Sequence, residues 1–402
     1  ALQAGRAPGR LFASQLPHQP GVPGMSQTVP SFTMGMEEEY LLVERESRDL
    51  VREVPDELMA ACERRLKGRV SPEFLRCQIE VGTGVNDTVH GCREELRELR
   101  GTVAEVVSDY GLSPIAASTH PFAAWTSQKH TDKERYNVLA RDMQAVARRM
   151  IICAMHVHVG IDDDELRMDL MGQAAYFLPH LLALSTSSPF WRGENTGLKS
   201  YRLAVFDELP RTGLPEMFDS WSEYQRHLDM MVSAGLIEDA SKIWWDVRPS
   251  ARFPTLELRI TDVTPRLEDG LCIAAIFVCV LRMLYRLKRN NQRWRRYANM
   301  LVRENRWRAQ RYGFDEGLVD FGRGQLLPYS ELLEELLDLI RPEAEEMGVV
   351  QEIHHAREIV RRGTSAHRQL QVYHDALAEG ADKHTALQQV VDMIASETLV
   401  GV

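Results

Sequence analysis

The sequence predicts an α+β fold: a mainly antiparallel sheet with helices packed behind it, followed by a C-terminal third that is almost wholly helical. Three observations carry that prediction. Strand-like stretches cluster in the first two-thirds of the chain and helix-period stretches in the last third, so the two element types are segregated rather than alternating. The 402 residues are 44% hydrophobic, enough to bury one large core. Four strand candidates also repeat one device, with apolar residues on one face and acid, histidine or arginine on the other. One such strand is ordinary, whereas four describe a sheet with a dry face and a charged face.

Residues 1–30 stand apart from this plan. They carry Arg6, Arg10, Pro8, Pro17, Pro20, Pro23 and Pro30, no acid, and no apolar run long enough for a signal peptide. They read as a disordered leader, with Met25 as an alternative start, and residues 31–402 as a single domain. The first strand runs from Met34 to Val43. Glu37 and Glu39 share one face, while Met36, Glu38 and Tyr40 take the other. Two carboxylates on one face repel each other unless a cation lies between them, and a hard divalent ion suits oxygen ligands. For this stretch alone a solvated acidic edge strand is the simpler account; the later strands argue against it.

Pro55 to Leu66 reads as a short helix, and Phe74 to Val81 as a second strand with Arg76, Gln78 and Glu80 in front. Asp87 is placed to cap a helix reaching Tyr110, with Leu96, Leu99, Val103 and Val106 at helical spacing and Gly111 ending it. Leu112 to Thr119 enters the turn His120-Pro121 as a strand. Thr131 to Met150 is an amphipathic helix leading into the strand Ile151 to Val159, where His156 and His158 share a face. Asp164 to Ser185 is helical, bent or broken at Pro179. A long turn-rich stretch over 187–202 is of the kind that carries function. Ser220 to Ala234 is helical, Ile243 to Pro249 extended, and the strand Thr255 to Thr261 puts Glu257, Arg259 and Thr261 opposite Leu256, Leu258 and Ile260. Helices then cover about 268–290, 295–312, 329–341, 344–362 and 380–397. The apolar run from Leu271 to Val280 stops before Arg282, short of the ~20 residues a spanning helix needs, and reads as a core helix.

Composition narrows the chemistry. A net charge of −10 argues against nucleic acid as a partner, and nothing calls for a membrane. The cysteines at 62, 77, 92, 153, 272 and 279 form no C-x-x-C pair and read as reduced, buried thiols of a cytoplasmic protein. On the charged face carboxylates outnumber imidazoles, which favours Mg²⁺ or Mn²⁺ over zinc. Magnesium sites are commonly shared with substrate phosphates, and Arg259 beside Glu257 suits charge on a transferring phosphoryl group, so ATP chemistry is indicated. There is no P-loop and no strand-linked G-x-G-x-x-G; the fragment Gly322-x-Gly324 carries no weight. Each piece also has a structural reading. H-x-H alone is more often a hydrogen-bonded core pair, Glu257 with Arg259 could be an ion-pair ladder, and Arg202 and Arg211 could be surface charges.

At these residues a resemblance enters. The stretches G-M-E-E-E-Y-L-L-V at 35–43, Q-I-E-V-G-T at 78–83, S-T-H-P-F at 118–122 and M-H-V-H-V-G-I at 155–161 resemble the carboxylate–amine ligases of the glutamate–cysteine ligase type 2 family. So do S-S-P-F-W-R-G-E-N-T-G-L-K-S-Y-R at 187–202, W-W-D-V-R-P-S at 244–250, T-L-E-L-R-I-T-D at 255–262 and G-T-S-A-H-R-Q at 363–369. The resemblance implies a glutamine-synthetase-like fold whose strands form an active-site funnel for ATP and Mg²⁺, with residues 31–402 as one catalytic domain. It also implies a reaction in which a carboxylate attacks the γ-phosphate of ATP and an amine then displaces phosphate from the acyl phosphate. Glutamate and cysteine would be weak substrates, and the assembly a homodimer in the cytoplasm.

Position by position, the resemblance makes Glu37, Glu39, Glu80, His156 and Glu257 metal ligands. Glu73 would be a further acidic ligand; it lies seven residues before Glu80, the wrong parity for one face of a regular strand, so it requires a bulge or a preceding turn. Arg259 falls at a phosphate-contacting arginine, Arg202 and Arg248 at substrate or phosphate contacts, and Thr83 and His158 beside the nucleotide. Ala154 departs from the glycine common in relatives, a difference of packing. Two other readings remain: a metal-dependent amidohydrolase, suggested by H-x-H on a strand, and a binding protein that retains ATP·Mg²⁺ without turnover. The hydrolase family would place H-x-H early and alternate strand with helix throughout, and this sequence does neither.

Overall fold

The computed structural model describes residues 29–402 apart from 125 and 127, so the leader expected over 1–30 lies outside the described residues but for its last two positions. The sheet is built on β1 (Met34–Glu44), whose residues from Met34 to Tyr40 alternate between buried and half-buried. Its even-numbered side chains enter the core and its odd-numbered ones face a cavity. From Leu41 to Val43 both faces are buried. The other strands are β2 (Val70–Pro72), β3 (Gln78–Gly82), β4 (Leu112–Ile115), β5 (Met155–Gly160), β6 (Val247–Pro249) and β7 (Thr255–Leu258). Their order is β6-β7-β5-β1-β3-β2, with β4 pairing the C-terminal half of β1, and every pairing is antiparallel. The α+β expectation holds.

Helices α1 (Asp56–Leu66), α2 (Val89–Ser108), α3 (Glu134–Met143), α4 (Asp164–Ala174), α5 (Leu178–Ser185) and α6 (Trp221–Ser233) interleave with the strands. Six more close the chain: α7 (Leu267–Arg289), α8 (Asn299–Tyr312), α9 (Tyr329–Met347), α10 (Val350–Arg362), α11 (Ser365–Ala378) and α12 (Lys383–Thr398). The centre of the core is α7, apolar and buried along nearly its whole length; its acids Glu268 and Asp269 begin it, and Arg286, Lys288 and Arg289 end it, each complementing the helix dipole. It is long and apolar enough to cross a membrane but is mostly buried within the protein. Gly270 on α7 comes so near the sheet's back face that a Cβ there would lie 3.0 Å from the Met155 sulfur and 3.6 Å from a Glu38 oxygen.

Several local expectations changed in the tertiary structure. Phe74 to Cys77 is not strand but the turn that folds β2 back onto β3. Arg76 therefore leaves the front face and pairs with Glu53 at 2.9 Å. The cap of α2 is Thr88, whose side chain accepts the Gly91 N–H, rather than Asp87. The helix expected over 131–150 breaks at Gln144, which has a φ of 49°. The stretch at 243–249 divides at Asp246: Trp244–Trp245 pairs in parallel with Thr212–Gly213, while β6 joins the main sheet. Helix α9 continues through Pro342 and stops at Gly348, which takes the left-handed conformation a glycine adopts without penalty. Helix α11, missed by periodicity, is announced by a capping box between Thr364 and His367 inside the G-T-S-A-H-R-Q stretch. Gly322 and Gly324 belong to the turn of a small hairpin, Leu318–Asp320 with Gln325–Leu327.

Candidate active site

Cross-strand register builds the site. Glu39 faces Glu80, and Glu80 faces Ser71. Glu37 faces His156, Glu257 faces His158, and Arg248 faces Glu257. These side chains line one cavity of about 670 Å³ on the front of the sheet. Glu73 and Arg202, brought in from turn and helix, join them, as does Arg259 just beyond β7. All the residues proposed from sequence line it except Thr83. That residue follows β3, its hydroxyl accepting the Met36 N–H at 2.9 Å and donating to the Gly84 carbonyl at 3.0 Å, an arrangement that holds the strand end.

The expected single set of metal ligands separates into two groups. In the first, Glu39, Glu73 and Glu80 converge with ligand oxygens within 4.8 Å of one another. The turn after β2 supplies the reversal that strand parity denied Glu73. Ala154 N–H donates to Glu39 at 2.8 Å, Phe74 N–H to Glu73 at 3.0 Å and the Ser71 hydroxyl to Glu80 at 3.2 Å. Burial, with the neighbouring Glu80 carboxylate, pushes Glu39 up to about 7, and burial with Glu80 and Glu39 raises Glu73 well above its usual range. Crowding and burial thus make Glu39 and Glu73 hold their protons more tightly than a carboxylate normally does.

In the second group, His156 Nδ1 lies 3.2 Å from a Glu37 oxygen and His158 Nε2 3.6 Å from the other. Burial works to raise the Glu37 pKa, but the two imidazoles outweigh it and hold the carboxyl well below its usual range. Burial, helped by Arg259, pulls His156 down to about 4, so its imidazole is neutral near pH 7. With Nδ1–H directed at Glu37, the buried Nε2 presents a lone pair that meets no partner among the described residues. A deprotonated carboxylate, an orphaned imidazole nitrogen and three clustered carboxylates are the donors a divalent cation requires, and the site fits one.

Glu257 lines the same cavity and is paired with arginines in this structure. It is engaged by the Arg248 fork at 2.9 and 3.1 Å and by an Arg259 nitrogen. Burial would raise its pKa, but the two arginines hold it well below the usual range. Arg248 also donates to the Ser241 and Ile243 carbonyls. His158 Nδ1 meets the Thr255 hydroxyl at 2.9 Å. Arg202 is fully buried, and its guanidinium donates to the Ile260 and Arg259 carbonyls at 3.1 and 2.9 Å, so it shapes the backbone that carries Arg259. The Arg259 Nε remains without a partner among the described residues.

Sequence reasoning missed the support behind Arg259. The Asp246 carbonyl accepts the N–H groups of Arg259 and Ile260 at 2.8 and 3.0 Å. Its carboxylate is gripped by Arg306 of α8 at 2.7 and 3.1 Å, and Arg306 also binds Asp207. Asp246 sat inside a quoted motif, but no local pattern marked Arg306, 60 residues away.

The fold has counterparts among solved structures. A solved glutamate–cysteine ligase from Francisella tularensis, in complex with AMP, superposes with a TM-score of 0.67 at 13% identity, over 91% of this chain and 89% of that one. A bifunctional glutathione synthetase from Pasteurella multocida gives 0.64 at 16% identity, over 91% of this chain and 52% of that one. At such identities these comparisons speak for the fold. The chain belongs to glutamate–cysteine ligase family 2, whose model matches residues 33–392. A Rhodospirillum rubrum protein named "Putative glutamate--cysteine ligase 2" is 62% identical over 92% of this chain and 96% of its own. A Jannaschia protein of the same name is 55% identical over 93% and 99%. Membership in a ligase family leaves the amidohydrolase alternative without support.

Proposed function

We propose that the protein joins a carboxylate to an amine at the expense of ATP through an acyl phosphate, accepting glutamate and cysteine as a weak pair. The observation that carries this reading is the meeting, in one cavity, of a carboxylate cluster, a neutral histidine paired with an ionised glutamate, and a buried arginine with an unspent donor. Glu39, Glu73 and Glu80 would hold one Mg²⁺, and Glu37 with His156 another. Bound there, the cations neutralise the repulsion between the carboxylates and the polyphosphate.

The substrate carboxylate oxygen attacks the γ-phosphorus and the bond to ADP breaks. The amine nitrogen then attacks the acyl carbon, the C–O bond to phosphate breaks, and the nitrogen releases a proton as the amide forms. Arg259 is held by its backbone and by Glu257, so its guanidinium stabilises phosphoryl charge without reorganising. Arg248 fixes Glu257, and Arg202 fixes the strand end.

The test pairs products with a variant. Wild type, given ATP, Mg²⁺, glutamate and cysteine, yields ADP, phosphate and γ-glutamylcysteine in equal amounts by mass spectrometry and phosphate assay. Arg259→Lys keeps the charge and loses the planar fork, so kcat falls by ~10²-fold or more while KM for the amine changes little. Phosphate release that does not depend on an acid substrate, or full kcat in Arg259→Lys, would overturn the reading.

A further inference from the structure

Three motifs of the sequence contribute little to the cavity. Of S-T-H-P-F at 118–122, the run at 187–202 and G-T-S-A-H-R-Q at 363–369, only Arg202 lines it. The three meet instead at Asp262, the fully buried last residue of T-L-E-L-R-I-T-D, a short way past Arg259. One Asp262 oxygen accepts the Ser187 N–H at 2.9 Å and the Ser188 hydroxyl at 2.8 Å. The other accepts the Ser200 hydroxyl at 2.9 Å. Every one of these partners donates, the pattern that suits an ionised carboxylate.

The neighbouring motifs brace that grip. The Ser187 hydroxyl oxygen accepts the Ser118 N–H at 3.1 Å, and the Ser118 hydroxyl accepts the N–H of Val263, next to Asp262, at 2.9 Å. From the C-terminal helices, the Gln369 amide donates to the Ser187 carbonyl at 2.8 Å, and the Thr364 hydroxyl meets that of Thr186 at 2.7 Å.

What the hub holds is Arg202, at both ends. The Ser188 hydroxyl that donates to Asp262 accepts the Arg202 N–H at 3.1 Å, which fixes the backbone. The Arg202 guanidinium lies 3.8 Å from the Asp262 oxygen that Ser200 binds, so one buried charge answers another. That guanidinium donates to the Ile260 and Arg259 carbonyls. Without the Asp262 charge, Arg202 would be a buried cation short of its partner, and it would no longer be held to those carbonyls in one geometry.

Resting on the ligase reading above, we infer that Asp262 is a positioning residue. It fixes Arg202, and through Arg202 the backbone that aims the Arg259 guanidinium at the transferring phosphoryl group. The three motifs outside the cavity thereby take part in turnover. A misplacement of about 1 Å at a reacting group can cost ~10²-fold in rate, so the effect is large enough to measure. The competing account is a polar network that only holds the fold together.

A double-variant cycle on kcat per folded molecule decides between them, with Tm measured on the same preparations. Hydroxylamine in place of the amine first identifies, for wild type, an acid that ATP and Mg²⁺ convert to its hydroxamate. With that acid, Asp262→Asn keeps the size and removes the charge. It should lower kcat by ~10-fold or more and leave KM for ATP nearly unchanged. Added to Arg259→Lys, it should cost less than ~3-fold more, because residues that act through one group are not additive. Ser200→Ala leaves the carboxylate and removes one hydrogen bond; it should show a smaller loss masked in the same way, and it decides the question if Asp262→Asn does not fold. Full kcat in these variants, or losses that multiply with that of Arg259→Lys, confines Asp262 to a structural part and overturns the inference while sparing the ligase reading. No hydroxamate from any acid, or full kcat in Arg259→Lys, removes both.

Discussion

Three carboxylates meeting at one point are a liability to the fold unless a cation joins them, and that gives the first tests a sign. Mg²⁺ bound only by the folded protein stabilises it by ~2.7 kcal/mol at a hundredfold excess over its dissociation constant. Glu73→Gln keeps the shape and removes one charge, so the Mg²⁺-dependent rise in Tm should shrink sharply while Tm without metal stays level or increases. A wild-type Mg²⁺ shift in this variant would show that the ion does not use Glu73. Glu39 gives a pH signature. Its folded pKa, about 7, lies above the ordinary 4.5, so the folded state binds the extra proton. The stabilisation this provides is complete below about pH 4.5 and is lost as pH rises toward 7. His156, His120 and His180, each pulled down to about 4 by burial, tilt the curve the other way below pH 6.5. The clean measurement is therefore a difference: metal-free Glu39→Gln should gain Tm over metal-free wild type as pH climbs from 4.5 to 7. A flat difference would mean Glu39 titrates normally.

At the scale of elements, the back of β1 holds a feature that a dry face would not suggest. Glu38 points into the core, where the Arg100 fork from α2 meets it at 2.7 and 2.8 Å, both side chains being fully buried. Tyr40 donates a hydrogen bond to the same carboxylate, and Arg100 also reaches the Thr264 and Pro265 carbonyls. One interaction thus ties strand, helix and the chain entering α7. Removing one partner of a buried pair leaves an uncompensated charge, so Arg100→Met should cost about 3–5 kcal/mol. The double variant Arg100→Met/Glu38→Gln should recover part of that loss. Urea melts of the two variants check this; equal midpoints would show that Glu38 is indifferent to its partner. The same element sets the cavity face, because fixing Glu38 inward fixes Glu37 and Glu39 outward.

Across the whole molecule, the C-terminal helices do more than cover the sheet. Arg306 on α8 reaches Asp246, which holds the backbone of Arg259, and Asp207, which ends the short helix carrying Arg202. A residue outside the cavity lining thereby positions a group inside it. Arg306→Lys keeps the charge but loses two paired forks, and kcat should fall by ~10-fold or more with KM for ATP nearly unchanged. A variant with lowered Tm and undiminished kcat per folded molecule would confine Arg306 to a structural part.

The amino-acid sequence by itself determined which faces exist. Alternation along β1, β5 and β7 is a property of the local backbone, so Glu37, Glu39, His156, His158 and Glu257 could be assigned to one side of a sheet before any pairing was known. The helices α1, α2, α6 and α7 were legible for the same reason, since their apolar period is written within a few turns. What lies between strands was not. Register, a long-range property, decided that Glu39 meets Glu80 while Glu37 meets His156. A turn brought Glu73 back into the cluster against its parity. Packing let α9 run through Pro342, and burial placed Glu257 between two arginines. Arg306 came from 60 residues beyond Asp246, where no periodicity could announce it. Local pattern fixes the direction of a side chain; only the folded chain decides which charges it must answer.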